Sequence, residues 1–139
     1  MTKKPKTFQV LAALICDDAR REANGKEILI GVYSGNVSVK QLPANITLSA
    51  WINLQVKGPA DYDFEVRVID PSGRTAVDGK FGLKAINEYD HTGTSLPKFP
   101  IYAEKEGTLK VQIRQSGGRW QTVIEKDVVI GVLSPEKSG

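Results

Sequence analysis

Between Ile46 and Val56 the chain alternates without interruption. Ile46, Leu48, Ala50, Ile52, Leu54 and Val56 are apolar, Thr47, Ser49, Trp51, Asn53 and Gln55 separate them, and Lys57 follows. A period of two sends successive side chains to opposite faces of a strand, so this segment buries one face and wets the other. Such a strand belongs in an antiparallel sheet with one covered face, because strands of parallel sheets are apolar on both. The alternation also isolates an anomaly. Trp51 falls on the face that is otherwise polar, where a neighbouring loop, a partner surface or a stacked base or sugar is expected to cover it.

The other segments read within that frame. Residues 8–16 (FQVLAALIC) are almost continuously apolar, which predicts a strand buried on both sides. Leu11 to Leu14 would also suit a short helix, but the run is brief and ends abruptly in charges. Residues 17–25 predict a polar connector closed by Asn24-Gly25, a pair tolerant of positive φ and suited to a tight turn. Residues 26–33 (KEILIGVY) predict a second strand, and Ser34-Gly35-Asn36 predicts a hairpin turn into a short third strand, Val37 to Lys40, ended by Pro43. After the long strand and the Gly58-Pro59 break, Tyr62 to Ile69 places Phe64, Val66 and Val68 inward, with Glu65 and Arg67 outward. Asp70-Pro71-Ser72-Gly73 predicts a turn, because proline presets φ at its second position and glycine closes it.

Residues 74–85 predict a weaker strand loosened by Gly79 and Gly82, and Asn87 to Pro100 the longest irregular stretch. Thr108 to Gln115 alternates again, and Gly117-Gly118 turns the chain into a last strand, Trp120 to Val132. Trp120 shares a face with Ile124 in that strand, which predicts core packing for it.

About eight strands, with turn signals every eight to twelve residues or so, predict an all-β antiparallel sandwich of the immunoglobulin-like kind. A closed β-barrel is the alternative. At 139 residues the chain is most economically one domain. Its expected extent is 8–133, between a basic tail (1–7, with Lys3, Lys4 and Lys6) and a C-terminal tail (134–139).

Composition narrows the function classes. Apolar residues at 40% and charged residues at 25% are ordinary for a globular chain. Nineteen Lys and Arg against sixteen Asp and Glu leave a net +3, and three of the lysines lie in the first six residues. No basic cluster marks a folded face, which weighs against nucleic acid as a partner. One cysteine, Cys16, excludes an internal disulfide framework and fits a reducing cytoplasm. The apolar segment before it is short, interrupted by Gln9, and ends in Ile15 where a lipoprotein cleavage site wants a small residue. No segment approaches the roughly 20 apolar residues of a spanning helix.

Catalytic chemistry finds little purchase. His91, the one histidine, lies in the expected irregular loop beside Asp90, and Cys16 is the one thiol, inert if buried. A zinc site draws on several Cys and His residues, and no phosphate-cradling glycine loop occurs between a strand and a helix. Asp61, Asp63, Asp70 and Asp78 are scattered through expected turns and strand ends rather than gathered as a calcium site requires. Asp17, Asp18 and Glu22 could form a carboxylate cluster for a metal or for acid–base work, but Arg20 and Arg21 interleave with them. Adjacent carboxylates on a strand also point apart, which favours a structural role for all five residues. No cofactor is expected.

The stretch Leu14-Ile15-Cys16-Asp17-Asp18-Ala19-Arg20-Arg21-Glu22, followed by Gly25-Lys26 and Leu29-Ile30-Gly31-Val32-Tyr33, resembles the opening of a family of small bacterial proteins with no assigned function. A Gly-Thr-Leu strand at 107–109 and a terminal hairpin match that family in layout. The resemblance implies a cytoplasmic all-β domain and supplies no activity. The expectation is therefore a non-enzymatic module that binds another protein or its own copies, with Trp51, Asn53 and Gln55 as the candidate surface. Nucleic-acid or carbohydrate binding by Trp51 is the alternative, and a metal-assisted enzyme around Asp17, Asp18 and Glu22 a third possibility.

The register of the long strand has a direct test. Ile52→Asp puts a charge on the buried face and should abolish folding. A cooperative urea transition in that variant would overturn the register.

Overall fold

The alternating segment is the central rung of the structure, a computed structural model that describes residues 7–131. Among the described residues there are nine strands: β1 (Phe8–Arg21), β2 (Glu27–Val32), β3 (Val37–Val39), β4 (Ala44–Val56), β5 (Ala60–Ile69), β6 (Thr75–Ala85), β7 (His91–Ala103), β8 (Gly107–Gln115) and β9 (Gln121–Ile130). They form two curled sheets, each a half-barrel, in the orders β2-β1-β4-β7 and β3-β9-β8-β5-β6. The fold is all-β, and among the described residues no helix is long and apolar enough to cross a membrane. The expected C-terminal tail, 134–139, and all of the expected N-terminal tail but Thr7 lie outside the described residues, as do Val132 and Leu133.

The core is what the alternation specified. Leu48, Ala50, Ile52, Leu54 and Val56 of β4 are buried, and across from them lie Phe64, Val66 and Val68 of β5 and Leu109, Val111 and Ile113 of β8. Phe64 centres an aromatic cluster: the Phe8 ring meets it edge-on at 5.1 Å, and the Phe81 ring stacks on it at 5.2 Å. The Asp70 turn forms as expected, with Asp70 Oδ1 accepting from the backbone N–H groups of Ser72 (2.8 Å) and Arg74 (3.0 Å) while Gly73 takes φ +87°.

Four expectations are corrected. The run 8–16 is not buried on both sides: Leu11 is 45% exposed at a bulge between Val10 and Ala12. The strand does not end at Cys16 either, because residues 17–21 pair with β2 and only residues 22–26 turn. β3 makes no hairpin with β2; it crosses to the other sheet and pairs in parallel with β9. The stretch 91–103 is a strand, so His91 lies on β7 rather than in a loop. β7 tolerates Pro97 and Pro100 because it is an edge strand, hydrogen-bonded only to β4.

Trp120 is a fifth. Val111 pairs with Ile124, but Gln112 pairs with Thr122, so one residue of β9 is left unopposed. That bulge reverses the facing of everything before it. Ile124 remains in the core, while Trp120 emerges on the outer surface, where the guanidinium carbons of Arg67 and Arg114 lie 4.1 and 4.4 Å from its ring centroid.

Candidate functional site

The family-like motif occupies a bend. The last pair between β1 and β4 is Cys16 with Ser49, and beyond it β1 continues in partnership with β2 alone, from Cys16–Val32 to Arg21–Glu27. Gly31 sits opposite Asp17 with φ +69°, a left-handed conformation that favours glycine. A Cβ there would stand 2.3 Å from Asp17 Oδ2. The Tyr33 hydroxyl donates to Asp17 Oδ1 at 3.0 Å, and the Tyr33 N–H donates to the Ile15 carbonyl at 2.9 Å. Partial burial, then the Asp17 carboxylate, pushes the Tyr33 phenol up from its ordinary pKa. Asp17, Gly31 and Tyr33 thus make one joint.

Ser49 fastens the joint to the sheet. It lies on the face of β4 opposite the core, yet it is fully buried, because β1 crosses over it. Its hydroxyl donates to the Asp17 carbonyl (3.3 Å) and accepts the backbone N–H of Lys98 (2.8 Å), linking β1, β4 and β7. Lys98 takes φ +45° at this crossing. Asp18 is bonded to Arg20 at 2.8 Å; that hydrogen bond first, and the Lys98 charge as a smaller influence, hold its carboxyl below the ordinary range. Arg21 pairs with Glu27 at 3.3 Å across the hairpin rather than with its neighbour Glu22.

The hairpin tip then lies over β4 and β7. Arg21, Gly25 and Glu27 share a shallow cavity of about 220 Å³ with Trp51, Asn53 and residues 91–93. The β1–β2 hairpin is therefore an arm bent back over the polar face of β4, and it half-covers Trp51. The indole ring lies against Gly93, where a Cβ would be 3.0 Å from Trp51 Nε1. Trp51 Nε1 and Glu27 Oε2 are both buried without a hydrogen-bond partner among the described residues.

Among the residues singled out by sequence, the structure gathers Trp51, Asn53 and Arg21 at the arm tip. Gln55 sits apart, donating to the Tyr89 carbonyl at 3.3 Å and lining a separate cleft with Thr7 and Phe8. Asp17 and Asp18 are engaged at the joint, and Glu22 stands in the tip turn, its N–H donating to the Lys26 carbonyl at 2.7 Å. Among the described residues no three His, Cys, Asp or Glu side chains are grouped so as to hold a metal ion. Cys16 and His91 are also distant. Cys16 pairs with Ser49 and His91 with Gln55, six residues further along β4 or roughly 20 Å. Burial, and then Asp17, raises the Cys16 thiol, the reverse of what a nucleophile needs.

Sequence reasoning missed another surface. Ile28, Ile30 and Val32 of β2 are 43%, 43% and 45% exposed, while Glu27 and Leu29, on the alternate positions, are half-buried on the arm's inner side. The alternation was present in the sequence, but placing its exposed half needed the topology: β2 is a sheet edge, bonded only to β1.

The chain belongs to a family of unknown function, DUF6941, which matches residues 11–124 and so takes in the arm and most of both sheets. No curated protein matches it.

Two substitutions test the arm. Gly31→Ala must tolerate positive φ and also displace the Asp17 carboxylate, and should lose roughly 2 kcal/mol in urea unfolding. Gly25→Ala shares the positive φ but meets open space, and should lose about 1 kcal/mol or less. Equal losses would remove the Asp17 contact as a cause. Trp51→Ser uncovers the arm's inner side and should lose about 2 kcal/mol or more; an unchanged midpoint would mean that the arm does not pack on the ring.

Proposed function

We propose that this member of a family without an assigned activity is a non-enzymatic, cytoplasmic interaction module that accepts a strand from another chain along β2. One observation carries the reading: β2 is an unguarded edge. A sheet edge presents unpaired N–H and C=O groups, and stable proteins guard such rows with proline, lysine, brevity or cover. Pro97 and Pro100 break up the β7 edge, β3 is only three residues long, and β6 exposes Lys80 and Lys84. Between Ile28 and Val32 there is neither proline nor charge, and three aliphatic side chains are exposed on one face. Strand addition uses both features: main-chain hydrogen bonds for affinity and alternate side chains for specificity.

We also read the two-layer architecture as immunoglobulin-like. The supporting pattern is β4 beside β7 in one sheet, β5, β8 and β9 adjacent in the other, and β3 lying parallel to β9. In that reading the β1–β2 arm is an addition ahead of the sandwich. Base or sugar stacking on Trp51 is the weaker reading, since the arm would have to lift to free the ring.

A photoreactive residue at position 30, introduced into the chain in its native host, tests the reading against the same residue at position 80 on the β6 edge. Position 30 should give a discrete covalent adduct that position 80 lacks. Absence of an adduct at 30, or the same adduct at both, would sink it.

A further inference from the structure

We infer that the strand taken up by β2 is β2 of a second copy, antiparallel about a two-fold axis at Ile30. The inference rests on the strand-docking reading above and names its partner.

Register singles out this pairing. In an antiparallel pair, residues directly opposite share a face, and a one-residue slip sends the aliphatic row to the wrong side. A self-pairing that keeps Ile28, Ile30 and Val32 on one face must therefore be centred on a residue. Centring on Leu29 sets Lys26 against Val32 of the second copy, and centring on Gly31 sets Ile28 against Ser34. Centring on Ile30 sets Ile30 against itself and Ile28 against Val32, so all three aliphatic residues from each copy meet aliphatic neighbours. On the other face Glu27 comes opposite Tyr33 and Leu29 opposite Gly31, and at the ends of the aliphatic row Lys26 comes opposite Ser34, so no like charges oppose each other.

The flanks suit this pairing. Within each arm Arg20 of β1 lies opposite Ile28, and Asp18 lies opposite Ile30. The Asp18–Arg20 ion pair therefore borders the aliphatic stripe on both outer sides of the joined arms. An apolar centre with a charged, self-neutralised rim is the anatomy of a specific interface rather than of a sticky edge. The symmetry is isologous and closes at two copies, since the two-fold pairing occupies the β2 edge of both arms. The two four-stranded sheets become continuous across the axis.

The axis residue supplies the test, made on the full purified chain by sedimentation equilibrium. Wild type should show a concentration-dependent mass of two chains. Ile30→Lys and Ile30→Asp should each be monomeric, since like charges then face one another on the axis, and an equimolar mixture of the two should dimerise. Ile30 is well exposed, and thermal unfolding of each variant confirms folding. Ile30→Thr, a milder change, should weaken dimerisation at least about tenfold.

Monomeric wild type overturns the inference, and the docking reading still stands if position 30 captures a different protein in the host. A wild-type dimer that survives both charge variants overturns it by placing the contact elsewhere. Monomeric single variants whose mixture stays monomeric overturn the two-fold register at Ile30.

Discussion

The Ser49 hydroxyl stands where β1 crosses β4, fully buried, with its donor directed to the Asp17 carbonyl and an acceptor lone pair taken by the Lys98 N–H. At a crossing where one strand leaves its neighbour, the ladder ends and backbone groups lose their partners; burying them unpaired would cost on the order of 1–3 kcal/mol each. One short hydroxyl side chain meets two of those needs. The arm follows from it: β1 can leave the sheet at Cys16, bend at Gly31 opposite Asp17, and return over β4 without an open gap at the bend. What the arm covers, Trp51, and what it presents, the β2 edge, are consequences of that crossing.

Much of this architecture was legible wherever an alternation met a core. β4, β5 and β8 each follow their inward residues, and the Asp70 turn follows its proline and glycine. The failures share a cause, which is that facing is a property of the partner strand as well as of the chain. Trp120 keeps its period of two with Ile124 on paper, and one unopposed residue in β9 turns it outward. The charged residues 17–21 look like a connector because they lack an apolar face, yet β2 supplies the pairing that makes them a strand. Pro97 and Pro100 argue against a strand only until β7 is known to be an edge. The parallel pairing of β3 with β9 leaves no local mark at all, because its determinants lie about ninety residues apart.

The candidate surface shows the same division. Trp51 stands on the polar face of β4, and the chain's own arm lies over that face from Ser49 towards Asn53. Three of the family-like residues meet at the joint: Asp17 needs Gly31, and Tyr33 reaches back to Asp17. Three of the exposed apolar residues, Ile28, Ile30 and Val32, line the outer side of the arm and could be taken from sequence alone for core.

Trp51 Nε1 and Glu27 Oε2, both shut under the arm without partners, set a gradient of local stability across the molecule. Desolvating a donor and a carboxylate oxygen without pairing them subtracts from the free energy that holds the arm down, while the sheets beneath keep theirs intact. Backbone amides of β1 beyond Cys16 and of β2 should therefore trade protons with solvent through a separate, cheaper opening than those of β4 and β8. A cheaper opening of this kind would let the arm unlatch while the sheets beneath stay paired.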